Sequence, residues 1–196
     1  SRENITDAWK AALSCDPVSA YGGIITANVT VDEDTADEMD KIFFEVVIAP
    51  DYSVKALEIL KSKKNRIILK RKPPVKSLSS FRSIMNGVLW QERDNHTETS
   101  DDMKPVTSRV PDPAEIEDLV FANIIVKHSK SNAIVLAKDR QLCASGIGQT
   151  SRVDALKQAI EKARLFGFDL KRSVMASDAF FPFADSVEIA HKAGIT

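Results

Sequence analysis

The sequence has little of several features that would assign it to a particular class of protein. It holds only two cysteines, Cys15 and Cys143, far apart in the chain, so a reducing, cytoplasmic compartment is favoured over a disulfide framework. No apolar run approaches the roughly 18 residues that cross a bilayer, so no membrane partner is expected. Positive charge is not in excess either: 27 basic residues face 28 acidic ones, which argues against a nucleic-acid partner.

The remaining composition is that of a soluble globular protein. Hydrophobic residues make up 43% of the 196 positions and charged residues 28%, which excludes disorder and fibrous repeats. A chain of this length can bury roughly 70% of its unfolded surface, so it can build a core without disulfides. A helix pattern that starts almost at Ser1 and an unfinished strand at Ile195-Thr196 predict an internal fragment of a longer protein.

The first half alternates strand and helix patterns, which predicts a layered α/β fold. Residues 32–43, a segment rich in acidic side chains, and residues 54–63 both have apolar side chains at helical spacing, which predicts two helices. Short apolar runs at 46–49 and 66–69 are typical of buried strands. One further strand is predicted over residues 81–90.

Basic residues are concentrated between Lys61 and Lys76, around Pro73-Pro74. An anion-binding patch is one interpretation. Solvated strand ends and a loop are the favoured one, because no aromatic residues are interleaved for stacking.

Residues 92–111 are polar and acidic, and we predict that they connect a first subdomain, residues 1–91, to a second, residues 112–196. In the second subdomain a helix is expected to start after Asp112, with Pro113 at its first position. The following patterns predict a hairpin around Lys138-Asp139-Arg140-Gln141, a helix over 152–166, a strand over 174–176, and a helix capped by Asp185 that ends at Lys192.

Three segments of the second half lie where a strand ends or begins beside a helix, the edge at which α/β proteins usually bind ligands. They are Lys127-His128-Ser129-Lys130-Ser131-Asn132, Gly146-Ile147-Gly148-Gln149-Thr150-Ser151-Arg152 and Ser177-Asp178-Ala179-Phe180-Phe181-Pro182-Phe183-Ala184-Asp185.

Each segment has both a ligand-binding and a structural interpretation. Asn132 can offer a donor and an acceptor to a ligand, and the glycine-rich segment permits close backbone approach but is equally typical of a turn. In the third segment, core packing accounts for two of the three phenylalanine rings, and Asp185 is as readily a helix cap as a ligand-binding group. His128, beside Lys127, is expected to cap a helix end rather than act as a catalytic base.

The order hairpin, helix, strand, helix is also the core order of the cytidine deaminase-like fold. A zinc deaminase needs His-x-Glu at the first of these helices and Cys-x-x-Cys at the second. This sequence has Thr150-Ser151-Arg152 and Phe181-Pro182-Phe183-Ala184 at those places, so no zinc site is expected.

Five motifs carry a closer resemblance that extends over nearly the whole chain. They are Asp16-Pro17-Val18-Ser19-Ala20-Tyr21-Gly22-Gly23, Glu45-Val46-Val47-Ile48-Ala49-Pro50, Ser131-Asn132-Ala133-Ile134-Val135, Gly148-Gln149-Thr150-Ser151-Arg152-Val153-Asp154 and Ser177-Asp178-Ala179-Phe180-Phe181-Pro182-Phe183. In this order they resemble the AICAR transformylase half of the bifunctional purine biosynthesis family, which also carries IMP cyclohydrolase.

The resemblance implies two deaminase-like subdomains that lack zinc, in a cytoplasmic homodimer with sites at the subunit interface. It implies transfer of the formyl group of 10-formyltetrahydrofolate to the 5-amino group of AICAR ribotide, which gives FAICAR on the path to IMP. Binding of a monovalent cation is left open. The implied nucleotide- and folate-binding residues are Asn132, Arg152, Val153, Phe180, Phe183 and Asp185, with Ser151 and Gln149 of second rank and Val18 and Tyr21 in a more distant part of the wall.

The chain departs from the family in two ways. The family's catalytic Lys-His pair lies upstream of the segment that matches residues 7–13, so no catalytic residue is expected in this chain, and Lys127-His128 aligns elsewhere. A Pro-Gly-Gly turn and an Arg-x-Phe segment are not found before Thr196, so the isolated chain is expected to bind weakly and to be inactive. Two other interpretations stay open: a non-catalytic deaminase-like scaffold for ligand binding or dimerisation, and a phosphate-binding α/β protein unrelated to folate.

Overall fold

The computed structural model describes residues 1–73 and 77–196. Within these ranges the α-helices are α1 (Ile5–Ser14), α2 (Glu33–Asp40), α3 (Val54–Lys61), α4 (Pro113–Lys127), α5 (Arg152–Leu165) and α6 (Asp185–Lys192), and a short 3-10 helix covers Ser100–Asp102. The strands are β1 (Gly23–Thr26), β2 (Phe44–Ala49), β3 (Ile67–Lys70), β4 (Ser79–Ile84), β5 (Gly87–Glu92), β6 (Ile134–Lys138), β7 (Gln141–Gly146) and β8 (Val174–Ser177). The α/β class predicted from the sequence is confirmed.

The first half contains a parallel sheet in the order β1-β2-β3. Its helices begin at side-chain caps: Asp32 accepts the N–H of Thr35, and Ser53 accepts that of Ala56. Phe44 and Val47 of the central strand are buried against residues of α2 and α3. Helix α2 ends at Asp40 and α3 at Lys61, so both are slightly shorter than predicted.

Three basic residues of the stretch after Lys61 form ion pairs. Asp40 binds both Lys63 and Arg66, and Lys70 pairs with Asp51 at 2.9 Å. The Arg66 side chain is only 2% exposed and lies 3.9 Å from the ring centroid of Phe44. These contacts support the structural interpretation of this stretch over an anion patch. Pro74, Val75 and Lys76, the last part of the predicted stretch, lie outside the described residues.

The prediction of one strand over residues 81–90 is wrong, because the chain forms an antiparallel hairpin there. In the pairing of β4 with β5, Ser79 lies opposite Glu92 at one end and Ile84 opposite Gly87 at the other. Phe81 lies directly opposite Trp90. The chain reverses at Met85-Asn86, just before Gly87, and Met85 has a φ of 41°. An Asn-Gly dipeptide is a common hairpin signal, and it was the available sign of this turn.

Beyond the hairpin, residues 93–112 hold only the short 3-10 helix before α4 begins. The predicted start of α4 is confirmed. Asp112 accepts the N–H of Glu115, whose own carboxylate accepts the N–H of Asp112, so the two residues form a capping box.

The second half is a three-layer α/β/α unit around an antiparallel sheet in the order β7-β6-β8. Alternate residues of β6 pack in opposite directions, as a two-residue strand period requires. Ile134 and Leu136 contact α5 and α6 residues, whereas Val135 and Ala137 contact α4 residues. The predicted order of hairpin, helix, strand and helix is therefore present.

The two halves touch through α1 and its following turn. Gln141 of β7 donates its side-chain N–H to the carbonyl of Ala11 at 3.0 Å, and Lys162 of α5 forms an ion pair with Asp16 at 2.5 Å. No helix within residues 1–73 and 77–196 has the length and apolar character needed to cross a membrane.

Candidate functional site

Three loops meet at one edge of the second sheet, and we call residues 131–133, 148–152 and 177–185 the loop cluster. Asn132 and Gln149 exchange backbone hydrogen bonds at 3.2 and 3.3 Å, and Gly148 donates its N–H to the carbonyl of Lys130 at 2.8 Å. These bonds hold the first two loops side by side. The sequence motifs that were separated by 15 or more residues therefore form one surface.

Asp178 attaches the third loop to the other two. One of its carboxylate oxygens accepts the N–H of Ala133 at 3.0 Å and the Nη2–H of Arg152 at 3.2 Å. Burial tends to raise the pKa of Asp178, but hydrogen bonds from Ser131, Ala133 and Arg152 outweigh it, so the pKa is lower than usual. The carboxylate is therefore charged at neutral pH. Sequence reasoning noted Asp178 in its motif but did not place it among the site residues.

Arg152 has an unused hydrogen-bond donor. Its side chain is 15% exposed, and Nε is buried with no hydrogen-bond partner among the described residues. A buried donor without an acceptor costs roughly 1–3 kcal/mol. Arg66 Nε is in the same state, so the unpartnered donor alone does not mark a site; what distinguishes Arg152 is its place in the loop cluster, where its guanidinium is a candidate to bind an anionic or carbonyl group.

The Asn132 side chain is oriented by the second loop. Its Nδ2 group donates to the carbonyls of Gln149 at 2.9 Å and Thr150 at 3.2 Å. Both N–H bonds of the amide are thus used within the chain. Of the donor and the acceptor that Asn132 can present, the carbonyl oxygen is therefore the group left for a ligand.

Helix α5 starts within the loop cluster. Ser151 is its N-cap and accepts the N–H of Asp154 at 3.1 Å, while its hydroxyl donates to the Asp154 carboxylate at 2.7 Å. Val153, half-buried, is in the first turn. Gly146 is needed for packing within the fold. A Cβ at this position would lie 1.9 Å from the carbonyl oxygen of Ala155, so the glycine allows β7 to lie close to α5 and is not there to admit a ligand.

The three phenylalanines of the third loop have different environments. Phe181 packs against the core beneath α5 and α6. Phe180 and Phe183 are 80% and 72% exposed. The expectation that core packing accounts for two rings is wrong, since it accounts for one. Two large aromatic rings on one loop are available to stack on a flat ligand.

Asp185 does not cap α6 as expected. The N-cap is Ala184, and Asp185 is the first helical residue, with its carboxylate accepting the N–H of Ser186 at 2.6 Å. The difference arises because the loop enters the helix one residue earlier, with Ala184 already in a helical conformation. The exposed carboxylate of Asp185 still lies beside the positive end of the helix.

Val18 and Tyr21 lie away from the loop cluster. Asp16, two residues before Val18, is paired with Lys162, which is ten residues or about 15 Å along α5 from Arg152. Tyr21 packs on Phe43 with ring centroids 5.0 Å apart. Of the ten expected binding residues, seven therefore lie in the loop cluster, Val153 directly follows it in the first turn of α5, and Val18 and Tyr21 lie apart.

Lys127 and His128 occupy structural positions. Lys127 pairs with Asp94 at 2.9 Å and donates to the carbonyl of His96, while His128 is the C-cap of α4. This agrees with the expectation that His128 ends a helix. Within residues 1–73 and 77–196 no group of three or more histidine, cysteine, aspartate or glutamate side chains is arranged to hold a metal ion.

Comparison with known proteins gives consistent results. The family model described as AICARFT/IMPCHase bienzyme matches residues 1–162. The bifunctional purine biosynthesis protein PurH of Bacteroides thetaiotaomicron is 63% identical over 196 residues, which are 100% of this chain and 39% of that protein. The proteins of the same name from Caldicellulosiruptor saccharolyticus and Aquifex aeolicus are 49% and 47% identical, and the matches cover 100% and 98% of this chain and 38% of each relative.

The chain thus spans less than two fifths of the length of these relatives. The family match covers 162 of 196 residues and includes the first two loops of the cluster. On this match, the chain belongs to the AICARFT/IMPCHase bienzyme family.

Proposed function

We propose that the loop cluster is the nucleotide- and folate-binding part of an AICAR formyltransferase that acts in IMP biosynthesis. The observation that carries this proposal is the buried, unpartnered Nε of Arg152, which is bound to Asp178 of the same loop that exposes two rings, Phe180 and Phe183. An arginine donor suits an anionic nucleotide, and flat rings suit the pterin of 10-formyltetrahydrofolate. The names of the relatives, bifunctional purine biosynthesis proteins, support the same pathway.

The reaction makes definite demands on the protein. The 5-amino nitrogen of AICAR attacks the formyl carbon, whose oxygen gains negative charge. The amine then loses a proton to a base, and the bond from the formyl carbon to N10 of the folate breaks as N10 takes a proton. Because the amine is conjugated with its ring it is a poor nucleophile, so a placed base and a donor to the oxyanion are both required.

The chain's own residues would bind and orient the reactants. Arg152 would bind the nucleotide through its free N–H, with Asp178 fixing the guanidinium. The side-chain carbonyl oxygen of Asn132 would accept a hydrogen bond from an amino group of AICAR, since the amide N–H bonds are already used within the chain. Phe180 and Phe183 would stack on the folate, and Val153, Asp185, Ser151 and Gln149 would complete the wall.

A homodimer accounts for the separated pair. Within one chain Val18 follows Asp16, which is paired with Lys162 near the far end of α5 from Arg152, and Tyr21 packs on Phe43 of the first half. The family resemblance nevertheless gives both residues to the same binding wall. A site built between two copies would take the loop cluster from one and Val18 and Tyr21 from the other. We place this protein in the cytoplasm, with residues 1–91 and 112–196 as two deaminase-like subdomains joined by residues 92–111.

Ligand-dependent thermal shifts test the proposal. The gene product that carries this chain should melt at a higher temperature with AICAR ribotide and with a formyl-folate analogue, because a ligand that binds only the folded state stabilises it. Arg152→Gln should remove most of the AICAR shift. Loss of both shifts in the unaltered protein would refute the proposal, and a shift with nucleotides alone would favour the phosphate-binding interpretation.

The catalytic part of the proposal has its own test. The coding sequence upstream should encode a Lys-His pair, and the sequence downstream should encode Pro-Gly-Gly and Arg-x-Phe. The gene product should then release tetrahydrofolate and FAICAR from the two substrates. A gene without these motifs and a product without formyl transfer would identify a non-catalytic deaminase-like scaffold instead.

A further inference from the structure

Lys130 is a cation beside the loop cluster that the proposed function does not use. It directly precedes the first loop of the cluster, and its backbone carbonyl accepts the N–H of Gly148 in the second loop at 2.8 Å. The residue is exposed. Within residues 1–73 and 77–196, the ion pairs and side-chain hydrogen bonds of the loop cluster do not involve its ammonium group. Its charge is therefore available to a ligand.

Capping of α4 would be the simplest role for a lysine in this place. A lysine near the C-terminal end of a helix often interacts with the last carbonyls, which have no partner within the helix. Here those carbonyls have other partners. The carbonyl of Ile125 accepts the N–H of His128 and the hydroxyl of Ser129. The carbonyl of Val126 accepts the N–H of Ser129. Helix α4 is thus capped without Lys130.

The side chain of Lys130 extends over the second loop instead. Its Cδ lies 3.8 Å from the position that a Cβ would take on Gly148. Gly148 has a φ of 67°, in the left-handed region that glycine adopts without strain. A lysine commonly packs its apolar stem on a surface in this way and keeps its charged head in water. The ammonium group, one methylene beyond Cδ, is therefore at the edge of the loop cluster.

The charged groups nearest to the start of α5 have partners inside the protein. Asp178 accepts a hydrogen bond from Arg152 at 3.2 Å, and the Asp154 carboxylate accepts one from the hydroxyl of Ser151 at 2.7 Å. Lys130 adds a positive charge that, among the described residues, no carboxylate of the cluster pairs with. Exposed lysines without ion pairs are common on protein surfaces, so the position of Lys130 at the edge of the candidate site is what distinguishes it.

We propose that Lys130 binds the anionic group of one of the two reactants and so contributes to the affinity of the site for that reactant. The inference rests on the proposed function, in which the loop cluster holds AICAR ribotide and 10-formyltetrahydrofolate. Each reactant carries an anion away from its reacting atoms: the ribotide has a phosphate, and the folate has the carboxylates of its glutamate. An ammonium group on a flexible stem suits either oxyanion. Because Lys130 is exposed, its ion pair should change the affinity about fivefold, as exposed pairs do.

Two pairs of ligands test the proposal and identify the anion. Lys130→Met removes the charge and keeps an unbranched stem to pack on Gly148. Titration calorimetry of the gene product compares AICAR ribotide with AICAR riboside, which lacks the phosphate. It also compares a formyl-folate analogue with a counterpart whose glutamate is replaced by a neutral amide. The variant should bind one of the two charged ligands about fivefold more weakly and bind the uncharged counterpart of that ligand normally. A loss for the ribotide identifies the phosphate, and a loss for the folate analogue identifies the carboxylates.

Control variants and salt separate a charge effect from a structural one. Lys157→Met, at an exposed position on α5, is the matched control and should bind all four ligands normally. Lys130→Arg should retain the affinity, because it keeps the positive charge. The difference between Lys130→Met and the unaltered protein should almost disappear in about 1 M salt, where the Debye length is only about 3 Å. A packing role for the Lys130 stem would not depend on salt in this way.

Three results would overturn the role of Lys130: unchanged affinity of Lys130→Met for both charged ligands, an equal loss for a charged ligand and its uncharged counterpart, or a loss that persists in 1 M salt. Each of these results leaves the proposed function standing, because the unaltered protein still binds its reactants. Absence of binding by the unaltered protein would instead refute the proposed function, and this inference with it. The two failures are therefore distinguishable in one set of titrations.

Discussion

The Asp178 carboxylate joins Arg152 of α5 to the N–H of Ala133 at the start of β6, at 3.2 and 3.0 Å through a single oxygen. The arginine is thus held by one nitrogen, Nη2, while its Nε has no partner within the described residues. A guanidinium fixed in this way keeps its remaining donors in one direction, which lowers the entropy lost when a ligand binds. Asp178 is therefore a positioning residue for Arg152 in the proposed site.

Asp178→Asn should weaken AICAR binding about tenfold while leaving the fold intact. The asparagine oxygen can still accept the N–H of Ala133, but the neutral amide no longer holds the guanidinium as a charged partner, and such bonds are worth roughly 1.5–3 kcal/mol. Titration calorimetry of the gene product with AICAR ribotide measures this. Asp169→Asn, at a side chain that is 76% exposed, is the matched control and should bind normally. Equal affinities for the two variants would contradict the positioning role.

The stability supplied by Asp178 should depend on pH in one direction. Its pKa is lowered in the folded protein, so this contribution is fully present above the unfolded value near 3.9 and is lost as pH falls through the lower folded value. The difference in melting temperature between the unaltered protein and Asp178→Asn should therefore be constant from about pH 8 to pH 5 and shrink below about pH 4. A difference that grew with acidity would show that the carboxylate is not favoured in its charged form.

Two adjacent phenylalanines should respond in opposite ways to truncation. Phe180 is 80% exposed, so Phe180→Ala should change the free energy of unfolding by at most about 0.5 kcal/mol yet weaken binding of a formyl-folate analogue. Phe181 packs on the core, so Phe181→Ala should cost about 2 kcal/mol of stability. Asp185→Ala, at an exposed position, should resemble Phe180→Ala. Chemical denaturation and ligand titration of the three variants measure both effects, and parallel losses at Phe180 would argue against stacking.

The sequence predicted elements whose signals are local. The cap at Asp112 with Pro113 and the hairpin at Asp139-Arg140 were both predicted, because a few neighbouring residues determine them. Asn86-Gly87 is a similar local signal, and it accounts for the two strands that the structure has in place of the single predicted one.

The side-chain contacts of the candidate site could not be predicted from local sequence signals. The hydrogen bond from Arg152 to Asp178 joins residues 26 positions apart. Likewise, the Asn132 amide N–H bonds are used because two carbonyls of another loop accept them. A motif shows that a side chain is present. Its partners, and therefore its free donors and acceptors, depend on how distant loops pack.

Cys143 should be almost inert to alkylation in the folded protein. Its side chain is buried in the core, and burial raises the pKa of the thiol to about 11. Only about one thiol in a thousand is then ionised at pH 8, and the thiolate is the reactive form. In Cys15→Ser, where Cys143 is the only cysteine of this chain, iodoacetamide labelling followed by mass spectrometry should be slow until guanidinium is added. Rapid labelling without denaturant would show that the second sheet opens readily.

Arg140→Gly should stabilise the fold, because the turn between β6 and β7 holds two non-glycine residues in the left-handed region. Asp139 and Arg140 both have φ of 54°, a conformation that costs roughly 1–2 kcal/mol for a side chain with a Cβ. Asp-Gly is the preferred pair for such a turn, and the N–H of residue 140 would keep its bond to Asp118. Among the described residues, the side chain lost makes one ion pair, an exposed one with Glu117 at 3.7 Å, which is worth little.

The gain is reduced by the larger conformational freedom of glycine in the unfolded chain, so we expect a net stabilisation of about 0.5–1 kcal/mol and a rise of about 2–3 °C in melting temperature. Lys138→Gly, two residues earlier at the last position of β6, is the control and should lower the melting temperature. Lys138 has no left-handed strain to relieve, and its side chain donates to the carbonyl of Lys171 at 2.8 Å. Thermal unfolding by circular dichroism compares the two. If both variants were destabilised equally, the left-handed conformation at Arg140 would not be a source of strain, and the bonds from Asp118 would have to be what fixes this turn.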